Sequence, residues 1–160
     1  MMRAGGYSFI ELVVVLAVAA FLASLPVALF TKYTQQPSMT VQASVVNSAL
    51  IQAHNMAISR NNCVQVSIVA NSSVRVDAYA PVGNLCTGVL GASTISLSPF
   101  ILAGGYTLAN FNPGGNSIIF NTVGGLTSST MVTTTLSDTR GQKVLFTIYP
   151  AIGQIRVSGP

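Results

Sequence analysis

Glu11 stands at the head of an apolar run that continues to Phe30. A carboxylate in such a setting costs roughly 2.5–3.5 kcal/mol at the centre of a bilayer on insertion scales, so it is usually functional and paired with an opposite charge. Asp77 and Asp138 are the only other acidic residues. His54, the single histidine, lies on a helix face near Leu50 and Ile58 with no second histidine, Asp or Glu beside it. It therefore lacks the partners that metal binding or proton transfer needs, and reads as a surface or half-buried helix residue. Phosphate loops, nucleotide fingerprints and catalytic triads are missing, and three acids leave little for acid–base chemistry. The chain reads as a non-enzyme with no cofactor and no metal site. Cys63 and Cys86 are not spaced as zinc ligands or a CxxC pair. In an exported domain they read as one disulfide closing a loop of about twenty residues; otherwise they are two separate thiols.

The elements that must carry these residues follow from periodicity. The 160-residue length suits one domain plus an anchor. Only ten residues are Asp, Glu, Lys or Arg, and none lies between Ala78 and Leu136. Such a surface suits packing against neighbours or residence outside the cytoplasm, since cytosolic domains carry about 25% charged residues. Residues 7 to about 60 read as one long helix in two regimes. The first, to Phe30, is apolar on all sides and long enough to span a bilayer. Pro26 predicts a kink or local melt near Leu22. Pro37 predicts an interruption around Gln35–Ser38. Beyond it, Val41, Val45, Ala49, Leu50, Ala53, Met56 and Ala57 mark an apolar face, with Gln42, Asn47, Gln52, Asn55 and Ser59 mainly opposite.

After Asn62 the period changes to two. Cys63–Val69 and Val74–Tyr79 predict a hairpin, with Val64, Val66 and Ile68 on one face. A loop over Ala80–Gly91 follows. Weaker strands are expected at Thr94–Leu97, Tyr106–Ala109 and Ser117–Asn121. Met131–Leu136 and Lys143–Tyr149 should flank a turn at Ser137–Gly141, with a last strand at Gln154–Val157. The fold class expected is α+β: a long N-terminal helix, membrane-spanning in its first half, packed on a C-terminal antiparallel sheet or sandwich.

Gly5-Gly6-Tyr7-Ser8-Phe9-Ile10-Glu11 resembles the type IV prepilin signature. The resemblance implies a leader of residues 1–6, cleaved between Gly6 and Tyr7 by a prepilin peptidase that also N-methylates Tyr7. It implies that Glu11, fifth after the cut, neutralises the terminal amine of a neighbouring subunit during assembly. Residues 7–30 then form the transmembrane and filament-core helix, 31–62 the amphipathic helix, and 63–160 a β-rich domain, so that the whole is pilin-like. A secretory signal peptide and a plain membrane anchor are the rival readings. Neither accounts for Gly-Tyr-Ser-Phe-Ile-Glu at this spacing.

Two further stretches, the helix end Gln52–Asn62 before a valine strand and Gly153-Gln154-Ile155-Arg156-Val157, resemble the minor pseudopilins that include the H pseudopilin of type II secretion and the FimT minor pilins. The implied function is a structural subunit of a type IV pilus or type II secretion pseudopilus. Implied partners are other pilin or pseudopilin subunits, the prepilin peptidase, an inner-membrane assembly platform, and membrane lipid before assembly. The implied place is the bacterial inner membrane, single-pass with the β domain outside the cytoplasm, and then the filament. The alternative is a tip subunit that binds DNA or another ligand, with Arg140, Lys143 and Arg156 as phosphate contacts. Gln154 replaces one arginine of the FimT-like pattern. The net charge of +4 does not by itself point to nucleic acid.

Overall fold

The computed structural model describes residues 9–34, 38–81, 86 and 93–159, with side chains in the first helix described over Phe9–Phe21. The chain divides into two compact units, Met1–Pro37 and Ser38–Pro160.

The first unit is helix α1, Phe9–Thr34. It runs through Pro26 without the expected melt, because proline's fixed φ near −65° is itself helical and a single lost hydrogen bond does not unwind so long a helix. Every described side chain from Phe9 to Phe21 is exposed. Among the described residues no helix is long and apolar enough to cross a membrane.

The second unit begins with a cap. Ser38 is extended (φ −63°, ψ 152°), and its hydroxyl accepts from the Val41 amide, so helix α2, Met39–Arg60, starts anew rather than continuing α1. The interruption expected around Gln35–Ser38 falls on residues 35–37, which lie outside those described, and on the Ser38 cap. Asn61 closes α2 in the left-handed region (φ 52°), with its N–H bonded to the Ala57 and Ile58 carbonyls.

The buried face of α2 is Met39, Gln42, Ala43, Val46, Ala49, Leu50, Ala53 and Ala57. That corrects the expected face at its N-terminal end. Val41 is 50% exposed, while Gln42 is 5% exposed. Gln42 Oε1 accepts from the Ala103 amide at 2.9 Å, and this long-range bond offsets the cost of burying the amide. Val45 and Met56 are partly buried at the core's edge.

Nine strands follow: β1 Cys63–Val69, β2 Ser73–Tyr79, β3 Ile95–Ser96, β4 Phe100–Ile101, β5 Tyr106–Leu108, β6 Ser117–Phe120, β7 Val132–Asp138, β8 Lys143–Ile148 and β9 Ile155–Ser158. They form two antiparallel sheets, β3-β2-β1-β6 (with β4 also on β2) and β5-β7-β8-β9. Strand β4 and the extension of β7 to Asp138 were not legible in the sequence. In the hairpin, Val66 faces Val76 and Val69 faces Ser73, with Ala70 and Asn71 both at positive φ in the turn.

Helix α2 packs on β1, β2, β4 and β6 of the first sheet and on β8 and β9 of the second. The alternate residues that meet in this core include Val64, Val66, Val74, Val76, Phe120, Leu136, Phe146 and Ile148, each at most 1% exposed. Fully burying one such side chain contributes about 1.5–3 kcal/mol.

Candidate functional site

The first candidate is the head of α1. Gly6 and Tyr7 lie outside the described residues. Glu11 sits in the first turn of α1, where the helix dipole favours a negative charge. It is exposed among apolar neighbours: Phe9 83%, Ile10 72%, Leu12 54% and Val15 62%. A helix that is apolar on every described side, carrying one carboxylate, needs surroundings that cover the apolar surface and a cation that meets the acid.

The second candidate is the set Arg140, Lys143 and Arg156. Asp138 Oδ1 accepts from the Arg140 and Gln142 amides at 2.9 and 2.8 Å, which folds the β7–β8 turn back on itself. Lys143 opens β8 beyond this turn, facing Ser137. Arg156 on β9 faces Thr147. Strand alternation puts Lys143, Leu145 and Thr147 on one face of β8, where Lys143 and Leu145 are exposed and Thr147 is buried; Arg156, opposite Thr147, is exposed on that same face. The two stand four residues apart along β8, about 13 Å. Arg140 and Lys143 both belong to the β7–β8 turn region, and Arg156 lies toward the other end of the strand.

Cys63 and Cys86 form a disulfide with Cα atoms 5.4 Å apart. It ties the start of β1, just past the α2 cap, to the excursion between β2 and β3. Both residues are buried, at 0% and 5% exposure.

Two polar features were missed by sequence reasoning. On the outer face of β2, Asp77 is buried and ion-paired with Arg75 (Nε–Oδ2 2.9 Å), and the Ser96 hydroxyl on β3 donates to Asp77 Oδ1. The i, i+2 spacing of Arg75 and Asp77 on one strand face was the available signal. Tyr79, two residues further on that face, has its phenol pKa raised above the ordinary 10.0, by burial first and then by the Asp77 charge, with Arg75 opposing.

The other is the junction around His54. Its Nε2 lies 3.1 Å from the Ile152 carbonyl oxygen, and its ring meets Phe120 edge-on at a centroid distance of 6.0 Å. Gly124 and Gly153, both at positive φ, bring two loops together here. A Cβ on Gly124 would come within 2.7 Å of His54 Nε2, and one on Gly153 would collide with the Gly124 carbonyl. His54 thus joins α2 to a loop after β6 and to the β8–β9 turn. No carboxylate meets it, and no cluster of three metal-ligating side chains occurs among the described residues.

Residues 42–150 match the family model described as type II transport protein GspH. Two crystal structures of the type IV minor pilin FimU of Pseudomonas aeruginosa (strain PAO1) share the fold. One, in space group P21, has a TM-score of 0.57 at 17% identity, covering 81% of this chain and 92% of that one. The other, in P65, has a TM-score of 0.56 at 14% identity, covering 75% and 92%. No curated protein sequence matches the chain.

Proposed function

We propose a filament-subunit role for this chain, which belongs to the GspH family of type II transport proteins. Its fold is that of FimU, a type IV minor pilin. It acts as a structural pilin or pseudopilin: α1 holds the precursor in the inner membrane with the β domain outside the cytoplasm, and later packs among the same helices of other subunits. The observation that carries this reading is α1 itself, apolar on every described side with Glu11 as its one acid, preceding a family-matched domain.

A prepilin peptidase cuts after Gly6 and methylates the amine of Tyr7. Glu11 then meets the terminal amine of an adjacent subunit. In a low-dielectric helical bundle each charge alone is expensive and the pair is attractive, so the contact sets the axial register between helices. The assembly platform of the inner membrane moves the mature subunit from lipid into the filament.

The experiment is N-terminal sequencing and intact mass of the protein from its native membrane. The expected result is a chain beginning at methylated Tyr7. A chain beginning at Met1 or Met2 overturns processing and leaves an anchored domain. A start near Ser24 makes the N-terminus a secretory signal.

A second reading, DNA capture, is favoured by one observation: Lys143 and Arg156 share the outer face of the second sheet. Three cations give only weak, steeply salt-dependent affinity. Binding of a DNA duplex in low salt, lost when Arg140, Lys143 and Arg156 become Ala together, would support it. Equal binding by that variant removes it.

A further inference from the structure

We propose that the outer face of the second sheet is a binding site for an anionic polysaccharide, a linear polymer whose hydroxyls are interrupted by spaced carboxylates or sulfates. This role is independent of filament assembly, and it competes with DNA for the same face. Strand register places the residues. Thr107, Ser137 and Lys143 stand opposite one another in a row across β5, β7 and β8, and Thr133, Thr147 and Arg156 form a second row across β7, β8 and β9. Thr135, Leu145 and Ser158 make the row between them. Neighbours within a row are about 4.8 Å apart and adjacent rows about 7 Å apart, so the rows make a polar grid with one cation at each end.

Three features select the ligand. The first is charge. Lys143 and Arg156 are exposed, and none of the residues in these rows is acidic. Asp138, next after Ser137, alternates to the other side of β7, and its Oδ1 accepts from the Arg140 and Gln142 amides. The second is composition. Leu145, 39% exposed, is the one large apolar side chain in the three rows, and none of their residues is aromatic. The face thus offers neither the apolar centre of a protein contact nor a platform on which bases stack.

The third is the direction of the hydrogen bonds. Thr133 Oγ1 donates to the Asn112 carbonyl at 3.3 Å, and the Thr107 and Ser137 hydroxyls bond each other at 3.3 Å. A hydroxyl has one hydrogen and two lone pairs. The Thr133 hydrogen and one of the other two are spent within the sheet, so these side chains turn mainly lone pairs outward and the ligand must donate to them. Sugar hydroxyls donate. The backbone of duplex DNA does not, since its phosphates only accept and its sugars lack the 2′-hydroxyl. It also carries one charge per roughly 1.7 Å of axis, far denser than two cations about 13 Å apart. A polymer with spaced anions meets Arg156 as a bidentate fork and Lys143 as a point charge, with its hydroxyls on the rows between.

Fluorescence anisotropy of a labelled hyaluronan oligosaccharide, which bears a carboxylate on alternate sugars, tests this. The full chain is used at low salt, in a detergent without sugar headgroups. Saturable binding is expected, and the same oligosaccharide with its carboxylates methyl-esterified should bind about tenfold more weakly or worse. Lys143→Gln with Arg156→Gln should cost about tenfold or more, whereas Arg60→Gln, on the helix that packs against the sheet's core side, should cost less than about twofold. Thr133→Val with Thr135→Val keeps the branched shape that suits a strand and removes the outward lone pairs. It should weaken the oligosaccharide by about threefold or more and leave binding of a DNA duplex unchanged. The absence of saturable binding overturns the proposal, as does equal affinity for the esterified polymer or wild-type affinity in either face variant. A DNA duplex that binds more tightly than the oligosaccharide also overturns it and leaves the face to DNA.

Discussion

His54 Nε2 lies 3.1 Å from the carbonyl oxygen of Ile152, a residue 98 positions away. That single bond joins the helix to the turn between β8 and β9, and the edge contact with Phe120 adds the first sheet. His54→Ala should cost about 1–2 kcal/mol, the sum of one hydrogen bond and one aromatic contact. Gly153→Ala should cost more, about 2–3 kcal/mol or above, since the added Cβ meets a backbone carbonyl at positive φ. Urea unfolding of the full chain in detergent checks the order. A Gly153→Ala midpoint equal to wild type would contradict the close approach of the two loops.

The Cys63–Cys86 bridge closes a separation of 23 residues. In the chain-entropy model this contributes roughly 3 kcal/mol. Replacing both cysteines with Ser should lower stability by about that amount. With both cysteines buried, the bridge in the native protein should resist dithiothreitol until the domain is unfolded. Thiol labelling with and without urea reads this directly.

Ala70 holds φ 50° in the hairpin turn. A side-chain-bearing residue there pays about 1–2 kcal/mol against the Cβ, whereas glycine adds about 0.5–1 kcal/mol of unfolded-chain entropy. Ala70→Gly should therefore stabilise the domain by about 0.5–1 kcal/mol. A fall in the unfolding midpoint would show that the turn is not left-handed at this residue.

Tyr79 keeps its proton more tightly when folded than when unfolded, because burial and Asp77 disfavour the phenolate more than Arg75 favours it. Its contribution to stability is complete below the unfolded value of about 10 and disappears as pH rises through the higher folded value. Stability should therefore decline above about pH 10, and Tyr79→Phe should decline less steeply over the same window. Identical slopes in paired urea titrations would remove Tyr79 as the cause.

Glu11→Gln removes the charge and keeps the shape. If Glu11 meets the amine of a neighbouring subunit, the variant should still insert and be cut after Gly6, yet enter filaments at least tenfold less. Immunoblots of membrane and sheared-filament fractions separate these steps. Normal filament content would dismiss the pairing.

Much of the scaffold could be read from local pattern. Alternation located β1, β2, β7 and β8 to within a residue or two, because their inner faces are buried and a slip of one would turn every apolar side chain outward. The start of α2 at Ser38 and its end before β1 carried short-range signals as well. Strand β4 did not. Two residues, Phe100 and Ile101, have no period to detect, and they are held by pairing with Ser73 and Val74. The apolar face of α2 was misjudged at Val41 and Gln42 because hydropathy cannot foresee that Ala103, 61 residues on, offers an amide to a buried glutamine.

By itself the sequence determined the division of labour: an apolar helix with one carboxylate, then a helix and strands whose 3.6- and two-residue periods each present one face to a core. These are local properties, set by side-chain chemistry and backbone sterics within a few residues. Only the tertiary structure decided which distant groups meet. The burial of Asp77 beneath Arg75 and Ser96, the separation of Arg156 from Lys143, and the meeting of Gly124, Ile152 and Gly153 with His54 all depend on strand order and loop closure. Those follow from how several faces share one core, and no window of sequence contains that information.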